Sequence, residues 1–168
     1  ALFPKSSMTE LYSIPAEGGR PVQVLATPAE EVSFVSDTDD FIYQDCKGGE
    51  NIWRKHHTSS ITRDLWVYRD GKHTKLTDFN GEDRCPRVSP DGKTVYYLSE
   101  REGNFNVYSF PVDNPKKVTK ITSHPTHPVR FLTISDNGTL CYAYDGDIYV
   151  KKGNSPSKKL SPCHSGWK

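Results

Sequence analysis

Three short patterns recur in a fixed order along this chain, and such recurrence limits the fold more sharply than any other feature. The first is an acidic or amide residue followed by an aliphatic residue, an aromatic and a further strand former. It occurs as Glu10-Leu11-Tyr12-Ser13, Asp64-Leu65-Trp66-Val67, Asn106-Val107-Tyr108-Ser109 and Asp147-Ile148-Tyr149-Val150. The second is a polar turn, seen as Ser36-Asp37-Thr38-Asp39-Asp40, Ser89-Pro90-Asp91-Gly92-Lys93 and Ser135-Asp136-Asn137-Gly138-Thr139. The third closes each unit as Lys75-Leu76-Thr77, Lys120-Ile121-Thr122 and Lys159-Leu160-Ser161.

The clearest copy predicts strands over Pro86–Ser89, Thr94–Ser99, Asn106–Val112 and Lys117–Thr122. Asp91-Gly92 marks a hairpin, because Gly accepts positive φ and Asp caps the turn. Val95-Tyr96-Tyr97-Leu98 is apolar without alternation, as in a strand covered on both faces. Glu102-Gly103-Asn104 and Asp113-Asn114-Pro115 supply the other two turns. A unit of about 42 residues with four antiparallel strands is a propeller blade.

The chain therefore reads as all-β, a partial β-propeller of about three and a half blades. Whole blades are expected at about 32–78, 86–122 and 128–161, with a blade remnant at 2–25. Closed propellers need about four to eight blades. The arc is thus expected to belong to a larger propeller, or to complete itself by association through exposed edge strands.

Composition narrows the function. Lys plus Arg number 22 and Asp plus Glu 21, a balance that argues against a polybasic nucleic-acid arm. Aromatics make up 11%, too many for a disordered chain. No run of 18 apolar residues exists, so no membrane-spanning helix is expected. Cys46, Cys85, Cys141 and Cys163 show no C-x-x-C spacing; Cys46 and Cys141 lie in apolar runs and read as buried, reduced thiols. No cofactor is expected: Gly18-Gly19 and Gly48-Gly49 lack the Lys-Ser/Thr of a phosphate loop.

One blade is interrupted. Between Phe41–Cys46 and Asp64–Tyr68 lie roughly 17 residues, where the next blade uses about five, and long loops on a regular scaffold tend to carry function. The inserted segment contains Arg54, Lys55, His56 and His57. Two readings stand side by side for them: a solvated loop of mixed composition, and an anchor for a carboxylate. Metal binding by the adjacent His56 and His57 is disfavoured, since no third ligand is evident. Ser59 and Ser60 read as small polar loop residues, because no G-x-S-x-G elbow accompanies them. His124 and His127 fall in a plain inter-blade connection. Trp66, Tyr68, Tyr96, Tyr97, Tyr108, Tyr142, Tyr144 and Tyr149 recur at matching places and read as packing between sheets.

The Ser89–Lys93 turn followed by Val95–Ser99 resembles the WD40-like repeat of TolB-type and tricorn-type propellers. The stretch Ile52–Trp66, I-W-R-K-H-H-T-S-S-I-T-R-D-L-W, resembles the basic loop in the N-terminal, six-bladed propeller of tricorn-like serine proteases. Tyr144-Asp145-Gly146-Asp147-Ile148-Tyr149 resembles that family's small-residue turn before an Ile-Tyr strand. The resemblance spans about Leu11 to Leu160. It implies a large peptidase with two propellers, a PDZ-like module and a C-terminal catalytic domain, of which this chain is about half of the first propeller and carries no catalytic residue. It also implies that Arg54 and Lys55, with His56, hold the C-terminal carboxylate of peptide substrates. Lys-His-His stands where an Arg-rich pattern is expected, so bidentate recognition is confined to Arg54. The implied partners are peptide substrates and the remaining blades and catalytic domain, in the periplasm or cell envelope, with the cytoplasm as the other location. The alternative is a TolB-type propeller acting as a protein-interaction module. A propeller lyase or glycosidase is disfavoured, because the Asp residues sit in turns and strand starts and no carboxylate pair stands out.

Overall fold

A computed structural model describes residues 8–49, 51 and 53–161. They form fourteen strands and no helix. A two-stranded sheet pairs β1 (Leu11–Ser13) with β2 (Val22–Leu25). Three four-stranded antiparallel sheets follow, each a meander in chain order. The first contains β3 (Ala29–Phe34), β4 (Phe41–Asp45), β5 (Leu65–Arg69) and β6 (Lys72–Lys75). The second contains β7 (Asp83–Val88), β8 (Thr94–Ser99), β9 (Asn106–Pro111) and β10 (Thr119–Lys120). The third contains β11 (Arg130–Ile134), β12 (Thr139–Tyr144), β13 (Asp147–Lys152) and β14 (Lys158–Lys159). The all-β propeller arc expected from the repeat is what the molecule adopts.

The sheets stack face to face, and each seam has its own apolar cluster. Leu25 and Leu11 meet Phe41 and Tyr43 at the first seam. Ile42, Leu65 and Val67 meet Val95, Tyr97 and Phe110 at the second. Leu98, Phe105 and Val107 meet Val129, Leu132 and Tyr142 at the third. The recurring aromatics lie in these seams: Tyr97, Tyr108 and Tyr142 are fully buried, and the others pack against the clusters. Contact between sheets is concentrated at the first strands, with β7 against β3 and β4 and β11 against β7 and β8. The sheets therefore converge on β3, β7 and β11.

The structure explains the repeat. The residue just before each of the first three landmarks offers its carbonyl to the next sheet: Thr9 to Ala29 N at 3.1 Å, Arg63 to Asp83 N at 3.1 Å, Phe105 to Val129 N at 3.0 Å. The landmark itself meets the closing threonine. Thr77 Oγ1 accepts from Leu65 N at 3.0 Å and donates to Asp64 Oδ1 at 3.4 Å. Thr122 Oγ1 accepts from Val107 N at 2.9 Å and donates to Asn106 Oδ1 at 2.9 Å. The polar turns close the first hairpin of each sheet: Thr94 N donates to Ser89 Oγ at 2.9 Å, and Thr139 N to Ser135 Oγ at 3.2 Å.

Of the four strands expected in the second sheet only Thr94–Ser99 keeps both boundaries; the third ends one residue early, at Pro111, and the other two differ more. The fourth strand of the second sheet is only Thr119–Lys120, because an outer strand has a ladder on one edge and solvent on the other. The first strand begins at Asp83 rather than Pro86. Glu82, Asp83 and Arg84 are buried charged residues, so an apolar pattern does not reveal that part of the strand.

Each first strand also carries the same irregularity. Register shifts fall between Glu30 and Ser33, Arg84 and Arg87, and Arg130 and Thr133. Within them Glu31, Cys85 and Phe131 adopt φ of 50°, 53° and 55°. A non-glycine residue in that region costs about 1–2 kcal/mol, and bulges of this kind re-aim side chains.

Candidate functional site

The inserted loop is fastened at its neck. Lys47 Nζ reaches Thr62 O and Asp64 Oδ2, each at 2.6 Å, and Asp45 Oδ2 at 3.2 Å. Burial alone would lower the Lys47 pKa, but its bonds to Asp64 and Asp45 outweigh this and raise it. Asp45 also accepts from Asp64 N at 2.8 Å and from Trp66 Nε1 at 2.9 Å. Arg63, 4% exposed, pairs with Glu30 at 3.3 Å and Glu82 at 3.5 Å. Burial opposes its charge as well, and Glu82 and Glu30 restore it.

The tip of the loop leans across the next two sheets. Trp53 N and Arg54 N fold back on Asn51, to Oδ1 at 2.9 Å and O at 3.0 Å. His56 N donates to Glu100 Oε2 of the second sheet at 2.6 Å, and its ring Nδ1 lies 4.0 Å from the same oxygen. Trp53 reaches the third sheet: Arg130 lies 5.0 Å over its ring and donates to its carbonyl at 3.3 Å. Trp53 also meets Phe131 edge to face at 6.1 Å. The loop is thus held at its neck and at two points beyond it. Arg54 and Lys55 are exposed between those two points, and the His56 side chain is exposed at the second of them.

His57 Nε2 lies 2.6 Å from Ser59 Oγ. Ser59 Oγ also accepts from Ile61 N at 3.3 Å, and its carbonyl accepts from Thr62 Oγ1 at 2.9 Å. This is a turn built from small polar side chains around Ser59. His124 sits in the connection to the third sheet, stacked on Tyr144 at 3.9 Å and 2.9 Å from Tyr142 Oη; burial lowers its pKa. Among the described residues, no three His, Cys, Asp or Glu side chains converge as a metal site would need. Cys46, Cys85 and Cys141 are free thiols, and burial pushes Cys85 up to about 11, which keeps it protonated. Cys163 lies outside the described residues.

Beside the loop is a cavity of about 580 Å³. The bulges of the three first strands supply its wall: Glu30 and Glu31 from β3, Arg84 and Cys85 from β7, Arg130 and Phe131 from β11. Trp53 joins them from the loop, with Arg63 and Arg87. Arg87 pairs with Glu31 at 2.6 Å. Arg84 lies 4.3 Å over the Phe105 ring, and Arg130 lies 5.6 Å from the same ring on its way to Trp53. Burial lowers the pKa of both guanidines, and Arg84 further lowers that of Arg130. Of these residues the sequence singles out only Cys85, as one of four cysteines, and the others only as members of longer segments. The available signal was positional: Glu30-Glu31, Arg84-Cys85 and Arg130-Phe131 each precede their polar turn by a similar distance.

Stacked four-stranded sheets converging on their first strands define the chain as an arc of a β-propeller. The model of the tricorn protease N-terminal β-propeller domain matches residues 2–157, and the chain belongs to that family. The crystal structure of the tricorn protease superposes with a TM-score of 0.77 at 22% identity, over 92% of this chain and 15% of that one. TolB from Acinetobacter baumannii superposes with a TM-score of 0.60 at 18% identity, over 85% of this chain and 34% of that one. A chain of the nidogen/laminin complex does so at 0.68 and 14% identity, over 90% and 56%. These structures share the fold. No curated protein matches the sequence.

Proposed function

We propose that this chain is the non-catalytic propeller portion of a tricorn-like serine peptidase. Arg54 and Lys55, with His56 beside them, hold the C-terminal carboxylate of peptide substrates for a catalytic domain elsewhere in the protein. The observation that carries the reading is the fastening of the loop. Lys47 at the neck, Glu100 under His56 and Arg130 under Trp53 fix the backbone on either side of the exposed cations. A binding group held in place loses less entropy when its ligand arrives. A guanidinium and an ammonium on such a base suit a carboxylate, through charge-assisted bonds of about 1.5–3 kcal/mol.

The test is the affinity of the chain for a fluorescein-labelled hexapeptide made as the free acid and as the C-terminal amide. The acid is expected to bind about tenfold more tightly, and Arg54→Ala to remove most of that difference. Equal affinity for acid and amide overturns the reading and leaves a TolB-type interaction platform as the better one.

A further inference from the structure

The three bulges and the loop tip converge on one cavity, although they come from four separate segments of chain. Glu31, Cys85 and Phe131 each take a left-handed φ there, and each lines the same space. Repeated strain aimed at a single cavity is what a binding site retains and a bare scaffold does not need. Two aromatic side chains stand at this cavity in the open: Trp53 is 59% exposed and Phe131 is 64% exposed. Isolated exposed apolar residues need no explanation, but an edge-to-face pair over a cavity does.

We infer that this cavity is a side-chain pocket for the last residue of a bound peptide and that it selects an aromatic ring. The volume falls within the range of small-ligand sites and is ample for one large side chain. Trp53 and Phe131 offer a ring two apolar partners, and Arg130 presents a guanidinium face already stacked on Trp53. The cationic wall also defines what is excluded. Arg63, Arg84, Arg87 and Arg130 line the cavity against Glu30 and Glu31, so a Lys or Arg side chain would meet an excess of like charge. The inference rests on the carboxylate reading for the direction of the peptide, since Trp53 adjoins Arg54 and brings the pocket next to the anchor.

The experiment uses four labelled hexapeptides that differ only at the C-terminus: Phe acid, Phe amide, Ala acid and Lys acid. Fluorescence anisotropy with the 168-residue chain gives the affinities. Phe acid is expected to bind about tenfold more tightly than Ala acid, and Lys acid more weakly than either. The key variant is Phe131→Gly. Glycine adopts a φ of 55° without strain, so the bulge survives while the ring is lost. Its Phe/Ala ratio is expected to fall to within about twofold, with the acid/amide ratio unchanged. Trp53→Ala is expected to act in the same direction, and circular dichroism and thermal melts verify both folds. Equal binding of Phe and Ala acids to the parent chain overturns the pocket, as does a Phe preference that survives both variants. A Phe preference without an acid preference supports the pocket and overturns the anchor. Binding of none of the four peptides overturns both.

Discussion

Thr122 ties the segment after β10 to the start of β9 through one hydroxyl, accepting from Val107 N and donating to the buried Asn106. Replacing it with Val keeps the shape but leaves Val107 N without its acceptor, a loss of about 1–3 kcal/mol, while Asn106 Oδ1 keeps its bond from His124 N at 2.8 Å. Thr122→Ser is expected to recover most of it; urea melts of the two variants check this. Asp83 makes a second prediction. It is wholly buried beside Arg101, and burial, opposed by that arginine, raises its pKa to about 6. An acid whose folded pKa exceeds its unfolded value of about 3.9 stabilises the fold below both values. That contribution is lost as pH rises from about 4 to about 6. Asp83→Asn is expected to flatten this part of the stability profile, measured as melting temperature against pH. The closing threonines were visible in the sequence as part of a recurring triplet. Their bond to the landmark acid was not, because nothing in a linear pattern says which two polar groups will face each other. Asp83 was missed for another reason: a buried charge looks like surface until its partner is known.

The loop shows what an element adds to its residues. Its length and its cations were legible, since it breaks an otherwise even spacing and keeps Arg54, Lys55 and His56 together. Its course over two further sheets was not, because the contacts to Glu100 and Arg130 join positions far apart in sequence. Lys47 is the fastening to test. Lys47→Met removes the donor shared by Thr62 O, Asp64 and Asp45. Hydrogen exchange of residues 53–63 is expected to speed up while β8 and β9 stay protected, and affinity for the acid peptide to fall several-fold. The cavity was the least legible element. Its wall comes from bulges, and a bulge breaks the period-2 alternation by which strands are read.

At the scale of the molecule, the repeat order alone was enough to reach the propeller arc, because each landmark marks a bond that recurs from sheet to sheet. Both ends of the arc are apolar. The small sheet rests on its neighbour through Leu11 and Leu25 and leaves Tyr12, Val22 and Val24 exposed; the last sheet exposes Ile148 and Leu160. Sedimentation velocity of the chain is expected to show concentration-dependent association that the double variant Val22→Lys, Ile148→Lys abolishes; a parent that stays monomeric throughout would falsify this.

The left-handed residue in each inner strand separates two jobs that most β-proteins must do with the same positions. Ladder bonds on either side of the kink keep the wedges registered, while the side chain at the kink colours the hollow they share. Positions 31 and 131, exposed at the kink, are therefore addresses at which a different guest could be written in, whereas Cys85 at the third also packs into a seam and is held to its size.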